Sequence, residues 1–198
     1  MTIMESMKEF IKKLGSFFLD IIQVVVLALS IFVISYLFLF QPHQVRGNSM
    51  YPNFYDQEFL LTDKTSYRFG QPQRGDVVIF KAPPSEPCAE TECEYIKRVI
   101  ALPEEKVRIT EGAIFINDQK ISEDYLPSDI KTFQGSFFLE GKTISLSEGE
   151  YFVAGDNRLH SRDGREFGPI KRGAIIGKAW FRYWPVSRLG IIPRGNYL

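Results

Sequence analysis

The chain has 198 residues, enough for one medium-sized domain with its own core plus an anchoring segment. Its 24 Lys and Arg balance 24 Asp and Glu, and the balance holds in both the first 40 residues and the remainder, so no basic face argues for nucleic acid as a partner. Aromatic residues (14%) are spread through short segments, which favours strands over helices.

Residues 21–40 are almost wholly apolar, and twenty helical residues rise about 30 Å, the thickness of a bilayer's hydrocarbon core. A cleaved signal peptide would have a shorter apolar core and a small-x-small site after it. Here Phe40-Gln41-Pro42-His43-Gln44-Val45 follows, with no such site. Lys8, Lys12 and Lys13 precede the run, and Arg46 is the only Lys or Arg in the next fifteen residues. The positive-inside rule therefore predicts a cytoplasmic segment over 1–20, a single transmembrane helix over 21–40, and an extracytoplasmic domain over 41–198 in the cell membrane.

Beyond the anchor, strands are predicted over 58–62, 76–80, 95–100, 106–109, 113–116, 143–146, 151–154 and 175–182, separated by turn residues such as Glu111-Gly112 and Asn117-Asp118. No long segment of period 3.6 follows residue 40. The expected fold is mainly β: coiled antiparallel sheets or a partly open barrel behind one transmembrane helix. Residues 122–138 pattern poorly and read as an insertion or a loop over the core. The aromatic run 180–184 suits either the core or the surface of a bilayer. Cys88 and Cys93 are the only cysteines; they cannot close a zinc site alone, and they read equally as a loop disulfide or as two free thiols.

Three segments can carry chemistry. Gly47-Asn48-Ser49-Met50-Tyr51-Pro52 holds a serine in a turn-forming string, where free backbone N–H groups can stabilise an oxyanion. Taken alone, the string fits an ordinary turn better. Lys97, in the predicted strand 95–100, shares a face with Tyr95 and Val99, and burial there can lower its pKa far enough for a general base. A lone lysine is more often a surface residue. The polar run 155–168 contains Asp156, Arg158, His160, Ser161, Arg162, Asp163 and Arg165; its acids and arginines can pair bidentately and stiffen the loop. A Ser49–His160–Asp163 triad is a second arrangement open at this point.

Taken together behind an apolar anchor, Ser49-Met50-Tyr51-Pro52, Arg74-Gly75-Asp76-Val77-Val78-Ile79-Phe80, Tyr95-Ile96-Lys97-Arg98-Val99-Ile100-Ala101-Leu102-Pro103 and Gly155-Asp156-Asn157-Arg158 with Ser161, Asp163 and Arg165 resemble the four boxes of type I signal peptidases, in the right order. These are membrane-bound serine proteases of the Ser–Lys class. The resemblance implies that Ser49 is the nucleophile, Lys97 the general base and Ser161 the residue holding the lysine amine. It further implies that Asp163 and Arg165 form a supporting ion pair, and that Val45, Met50, Phe54, Tyr95 and Ile96 line shallow pockets for small side chains. It implies no metal or organic cofactor. The implied substrates are exported preproteins with small residues, often Ala-x-Ala, before the cut. Departures from the pattern are Gly47, where some members place a hydroxyl for the oxyanion, together with Asn53-Phe54, Ala101-Leu102-Pro103-Glu104-Glu105 and Gly164. Members that use histidine place it where Lys97 stands, which weighs against the triad. Penicillin-binding proteins need Ser-x-x-Lys, which Ser49-Met50-Tyr51-Pro52 lacks. The non-enzymatic alternative is a membrane-tethered β-domain that binds a partner.

Overall fold

The computed structural model describes residues 3–87 and 93–197. The chain divides into two compact units, Met1–Phe40 and Gln41–Leu198. In the first, helix α1 (Ile3–Phe38) begins well before the apolar run, because nothing in residues 3–20 breaks it and Gly15 is its only glycine. Met7–Tyr36 is long and apolar enough to cross a membrane. Its large apolar side chains are exposed all round, as a lipid-facing helix requires.

The second unit is built from β1 (Phe40–Gln44), β2 (Phe59–Asp63), the short helix α2 (Ser66–Phe69), β3 (Val77–Lys81), β4 (Glu94–Ala101), β5 (Lys106–Thr110), β6 (Ala113–Ile116), β7 (Gln119–Lys120), β8 (Thr143–Ser145), β9 (Glu150–Ala154), the short helix α3 (Gly164–Phe167), β10 (Ile170–Lys171), β11 (Ile175–Trp184) and β12 (Gly190–Ile191). The larger sheet runs β1-β2-β11-β3-β4-β9-β10, with β12 paired to β11; the smaller runs β7-β6-β5-β8. Neither sheet closes. Every predicted strand is present. β1 escaped the sequence reading because Phe40 completes the apolar run and Pro42 weakens a strand signal; Pro42 is tolerated because β1 is an edge strand. Glu111 and Gly112, then Asn117 and Asp118, have positive φ in consecutive pairs, the geometry of tight hairpins joining β5–β6 and β6–β7.

Side-chain alternation sorts the core. Along β3, Val77 and Ile79 enter a cluster with Val45, Met50, Phe54, Leu60, Ile96 and Ala179, while Val78 and Phe80 enter another with Tyr67, Val99 and Val153. Burial on both faces explains why β3 reads as an unbroken apolar run. A third cluster joins the sheets: Ile100, Phe152 and Ala154 of the larger pack with Val107, Ile109, Ile114 and Ile116 of the smaller. Phe138 is fully buried in it. The stretch 122–138 therefore does more than cover the core. Glu123, Tyr125 and Thr132 also meet the buried Arg158. Of the run 180–184, Trp180, Tyr183 and Trp184 are exposed, as are Val186, Leu189 and Ile191 beyond it.

Cys93 is disulfide-bonded. The other cysteine, Cys88, lies outside the described residues.

Candidate active site

The turn carrying Ser49 is held at both ends. Gly47 adopts φ +80, a conformation that favours glycine, and its N–H donates to Asp56 Oδ1 at 2.7 Å. Met50 and Phe54 are fully buried and root the turn in the apolar cluster, linked by a 2.9 Å bond from Phe54 N–H to Met50 O. From the other side, Asn157 N–H donates to Ser49 O at 3.0 Å and its side-chain amide to Asn48 O at 3.0 Å. Ser49 itself is half-buried, with its hydroxyl at the surface of a groove. Among the described residues, no hydrogen bond uses the Ser49 N–H.

Lys97 reaches that hydroxyl from β4. Its Nζ donates to Ser49 Oγ at 2.7 Å and to Ile96 O at 2.9 Å. The side chain is 4% exposed. Burial is the largest influence on its amine and lowers its pKa from an ordinary 10.5 to about 8; Asp163, Asp156 and Glu86 pull upward and Arg165 downward. In the neutral form the same contact runs in reverse, with the serine O–H donating to the amine.

The loop after β9 braces this pair. Asp163 is fully buried and accepts from Arg165 Nε at 2.8 Å and Nη2 at 2.9 Å, from Gly155 N–H at 2.9 Å, and from Arg165 N–H at 3.1 Å as the N-cap of α3. Ser161 lies beside Gly155; its hydroxyl is buried and, among the described residues, is bonded neither to Lys97 nor to any other partner. His160 is exposed, and among the described residues it bonds neither Ser49 nor Asp163 through its ring.

The acids and arginines of the loop pair only partly with one another. Asp163–Arg165 is local. Asp156 instead holds Arg98 of β4 through two bonds of 2.9 and 2.7 Å, with Asn53 as a further donor; Arg158 holds Glu123; Arg162 holds Glu86. These links pin the loop to the Ser49 turn, to β4 and to the stretch 122–138. The sequence carried no sign of them, because each joins residues at least 35 positions apart.

Gly155 is the tightest point. A Cβ there would lie 2.1 Å from Ser161 Oγ and 2.4 Å from the backbone oxygen of Ser49. Backbone cannot yield to it, so Gly155→Ala should push the serine turn away from Lys97. A displacement near 1 Å costs roughly a hundredfold in rate. The expected result is a loss of kcat/KM of that order with an unchanged far-UV spectrum, read on a preprotein substrate.

The groove above the pair has a volume of about 640 Å³. One wall is β1 with Val45 and Arg46; the other is Cys93 with the first half of β4; Leu60 and Ile79 contribute to the floor, and Arg162 stands at the rim. Among the described residues, both walls have edges not paired to a further strand: β1 is followed in the sheet only by β2, and Glu94–Lys97 pair with β3, with β9 joining from Arg98 onward. Val45, Tyr95 and Ile96 line the groove, whereas Met50 and Phe54 are buried beneath the serine turn.

Comparison with known proteins places this architecture. The family model described as "Signal peptidase, peptidase S26" matches residues 18–184. "Signal peptidase I" of Bacillus caldolyticus is 38% identical over 160 residues, covering 77% of this chain and 84% of that one. "Signal peptidase I T" of Bacillus subtilis (strain 168) is 33% identical over 182 residues, covering 90% and 91%. "Signal peptidase IB" of Staphylococcus aureus (strain COL) is 33% identical over 161 residues, covering 76% and 81%. This decides between an enzyme and a tethered binding domain, and the chain belongs to the signal peptidase family, peptidase S26, as a membrane-bound serine endopeptidase that removes signal peptides.

Proposed function

We propose that Ser49 and Lys97 perform this cleavage as a nucleophile–base pair. The observation that carries the reading is a buried amine 2.7 Å from a serine hydroxyl, with a pKa lowered to about 8. Neutral Lys97 takes the Ser49 proton as Oγ bonds to the substrate carbonyl carbon. The tetrahedral intermediate places its oxyanion at the Ser49 N–H, whose hydrogen-bonding capacity is unspent. As the C–N bond breaks, Lys97 gives the proton to the leaving amine. Water then attacks the acyl-enzyme while Lys97 takes its proton, and Ser49 Oγ departs reprotonated. Asp163 and Arg165 hold the loop behind the pair, and Ser161 is the nearby hydroxyl suited to steady the amine.

The preprotein lies in the groove as an added strand between the two open edges, bonded through its main chain. Val45, Ile96 and Tyr95 leave room for small side chains near Ser49, with Met50 and Phe54 supporting them from below. The helix α1 spans the lipid bilayer with its lysine-bearing N-terminus in the cytoplasm, which puts residues 41–198 outside. The exposed Trp180, Tyr183 and Trp184 suit the bilayer surface.

The test is incubation of the purified chain in liposomes with a preprotein carrying Ala-x-Ala, followed by N-terminal sequencing of the product. Cleavage after the second Ala is expected, with Ser49 labelled by an acylating inhibitor. Undiminished cleavage by Ser49→Ala would overturn the assignment.

A further inference from the structure

A second cavity, of about 230 Å³, shares no lining residue with the groove. Arg98, Arg182, Arg188 and Arg194 line it together with Asn53 and Tyr125, and among the described residues no Asp or Glu does. The chain's formal net charge is zero, so four arginines around one small space are a local concentration. Three segments bring them there. β4 supplies Arg98, the end of β11 and the turn after it supply Arg182 and Arg188, and the stretch after β12 supplies Arg194.

Arg98 is fully spent: its Nε and Nη2 hold Asp156 and its Nη1 donates to Gly75 O, so it forms a neutral wall. The other three keep capacity. Arg182 and Arg188 share one carboxylate, Glu58, at 3.1 and 2.6 Å, and both donate to Asn53 O at 2.9 Å. Arg194 shares Asp76 with Lys178, at 3.0 and 2.7 Å. Each cluster therefore has two cations for one carboxylate. Stacking on Phe54 and Tyr55, at 5.0 and 4.1 Å, sets the planes of Arg182 and Arg188 beforehand. Among the described residues, no hydrogen bond uses Arg182 Nη1, Arg188 Nε or either terminal nitrogen of Arg194. Arg182 Nε faces Glu58 Oε2 without hydrogen-bond alignment, and both atoms are buried with no hydrogen-bond partner among the described residues. Burial and the charge of Arg188 outweigh the pull of Glu58 and hold Arg182 below its ordinary pKa, the mark of a place short of negative charge.

We infer that Arg182, Arg188 and Arg194 form a receiving site for the phosphate of an anionic phospholipid headgroup. Guanidinium forks with unspent N–H groups suit phosphate oxygens, and an anion there supplies the charge that Glu58 and Asp76 leave unbalanced. Lipid rather than free phosphate follows from the rim. Arg188 lies between the exposed Val186 and Leu189, and Ile192 of the cavity wall follows the exposed Ile191. A headgroup seated among the arginines lays its acyl chains along these apolar side chains, which a free anion leaves bare to water. The inference rests on the β-domain meeting the bilayer surface at Trp180, Tyr183 and Trp184.

The chain's two tryptophans, Trp180 and Trp184, flank Arg182 in β11 and report on nearby lipid. The experiment places the full chain in phosphatidylcholine liposomes and titrates in phosphatidylglycerol with brominated acyl chains, which quench tryptophan fluorescence on contact. Half-maximal quenching should come at a lower lipid fraction for brominated phosphatidylglycerol than for brominated phosphatidylcholine. In Arg194→Gln, where Lys178 still holds Asp76, and in Arg188→Gln, where Arg182 still holds Glu58, that fraction should rise roughly tenfold, toward the phosphatidylcholine value. Arg108→Gln, an equal loss of charge on the smaller sheet, should leave it unchanged. Equal quenching by the two lipids overturns the inference, as does a preference that survives in either cavity variant or falls as far in Arg108→Gln. Inorganic phosphate at constant ionic strength should not displace the phosphatidylglycerol; displacement would reassign the cavity to a free anion. Absence of quenching by either lipid sinks the bilayer-surface reading as well.

Discussion

Lys97→Met is expected to abolish preprotein cleavage and, at pH 7, to make the chain more stable. On the proposed mechanism the activity loss follows from removing the base, an effect of about 10²–10⁴-fold. The gain in stability follows from the lowered pKa. The drop from 10.5 to about 8 amounts to about 3 kcal/mol spent on keeping a charged amine in an apolar site. Between these two values the unfolded chain binds more protons at Lys97 than the folded one, so wild-type stability rises with pH across that window. Below about pH 8 the penalty is full, and methionine, similar in length and uncharged, escapes it. Urea unfolding in detergent should show the variant ahead by up to that amount at pH 7, with the gap closing toward pH 10.5. Wild-type kcat should rise with pH through about 8, as the amine loses its proton. A variant less stable than wild type at pH 7 would mean that Lys97 contributes packing beyond its charge. Retained cleavage would remove Lys97 from the mechanism.

Asp163→Ala is expected to cost about 3–5 kcal/mol, because it leaves Arg165, 5% exposed, without its carboxylate in the interior. The Gly155 N–H and the N-cap of α3 lose their acceptor at the same time. A domain of this size has a total stability of only about 5–15 kcal/mol, so the loss should appear as a large drop in Tm and in urea midpoint. Burial alone would raise the Asp163 carboxyl, but hydrogen bonds from Arg165, its charge and the N–H of Gly155 outweigh it and hold the pKa below the ordinary 3.8. Such a group stabilises the fold fully above 3.8 and loses its effect as pH falls through the folded value. The difference between wild type and variant should therefore be complete at neutral pH and shrink in strong acid. Asp163 is also the largest upward electrostatic pull on Lys97. In whatever fraction stays folded, the rise of rate with pH should move to lower pH.

Much of the fold was readable because its strands are short, apolar and bounded by turn residues, as 76–80 and 113–116 are. β1 was not, since a strand beginning on the last residue of an apolar run and containing proline carries no pattern of its own. The candidate site divides in the same way. Ser49 and Lys97 stand in strings that resemble known boxes, so each was legible separately as a candidate. Their 2.7 Å contact spans 48 positions and depends on how far the sheet curls, which periodicity does not encode. Charge pairing was misread where proximity in sequence was taken as a guide: Asp156, Arg158 and Arg162 reach out of their loop because buried charges take whichever partner the fold brings within bonding distance.

The open edges of β1 and the first half of β4 have a consequence for turnover. Pairing through main-chain groups does not distinguish a peptide before cutting from its N-terminal part after cutting. The released piece keeps every amide that the groove engages and gains only a carboxylate, which lands beside Lys97. On the proposed binding mode the severed apolar peptide competes with fresh preprotein for the same two edges, so its departure is expected to limit steady-state output. A burst of product followed by a slower phase, abolished by a peptidase that clears the fragment, would be its kinetic signature.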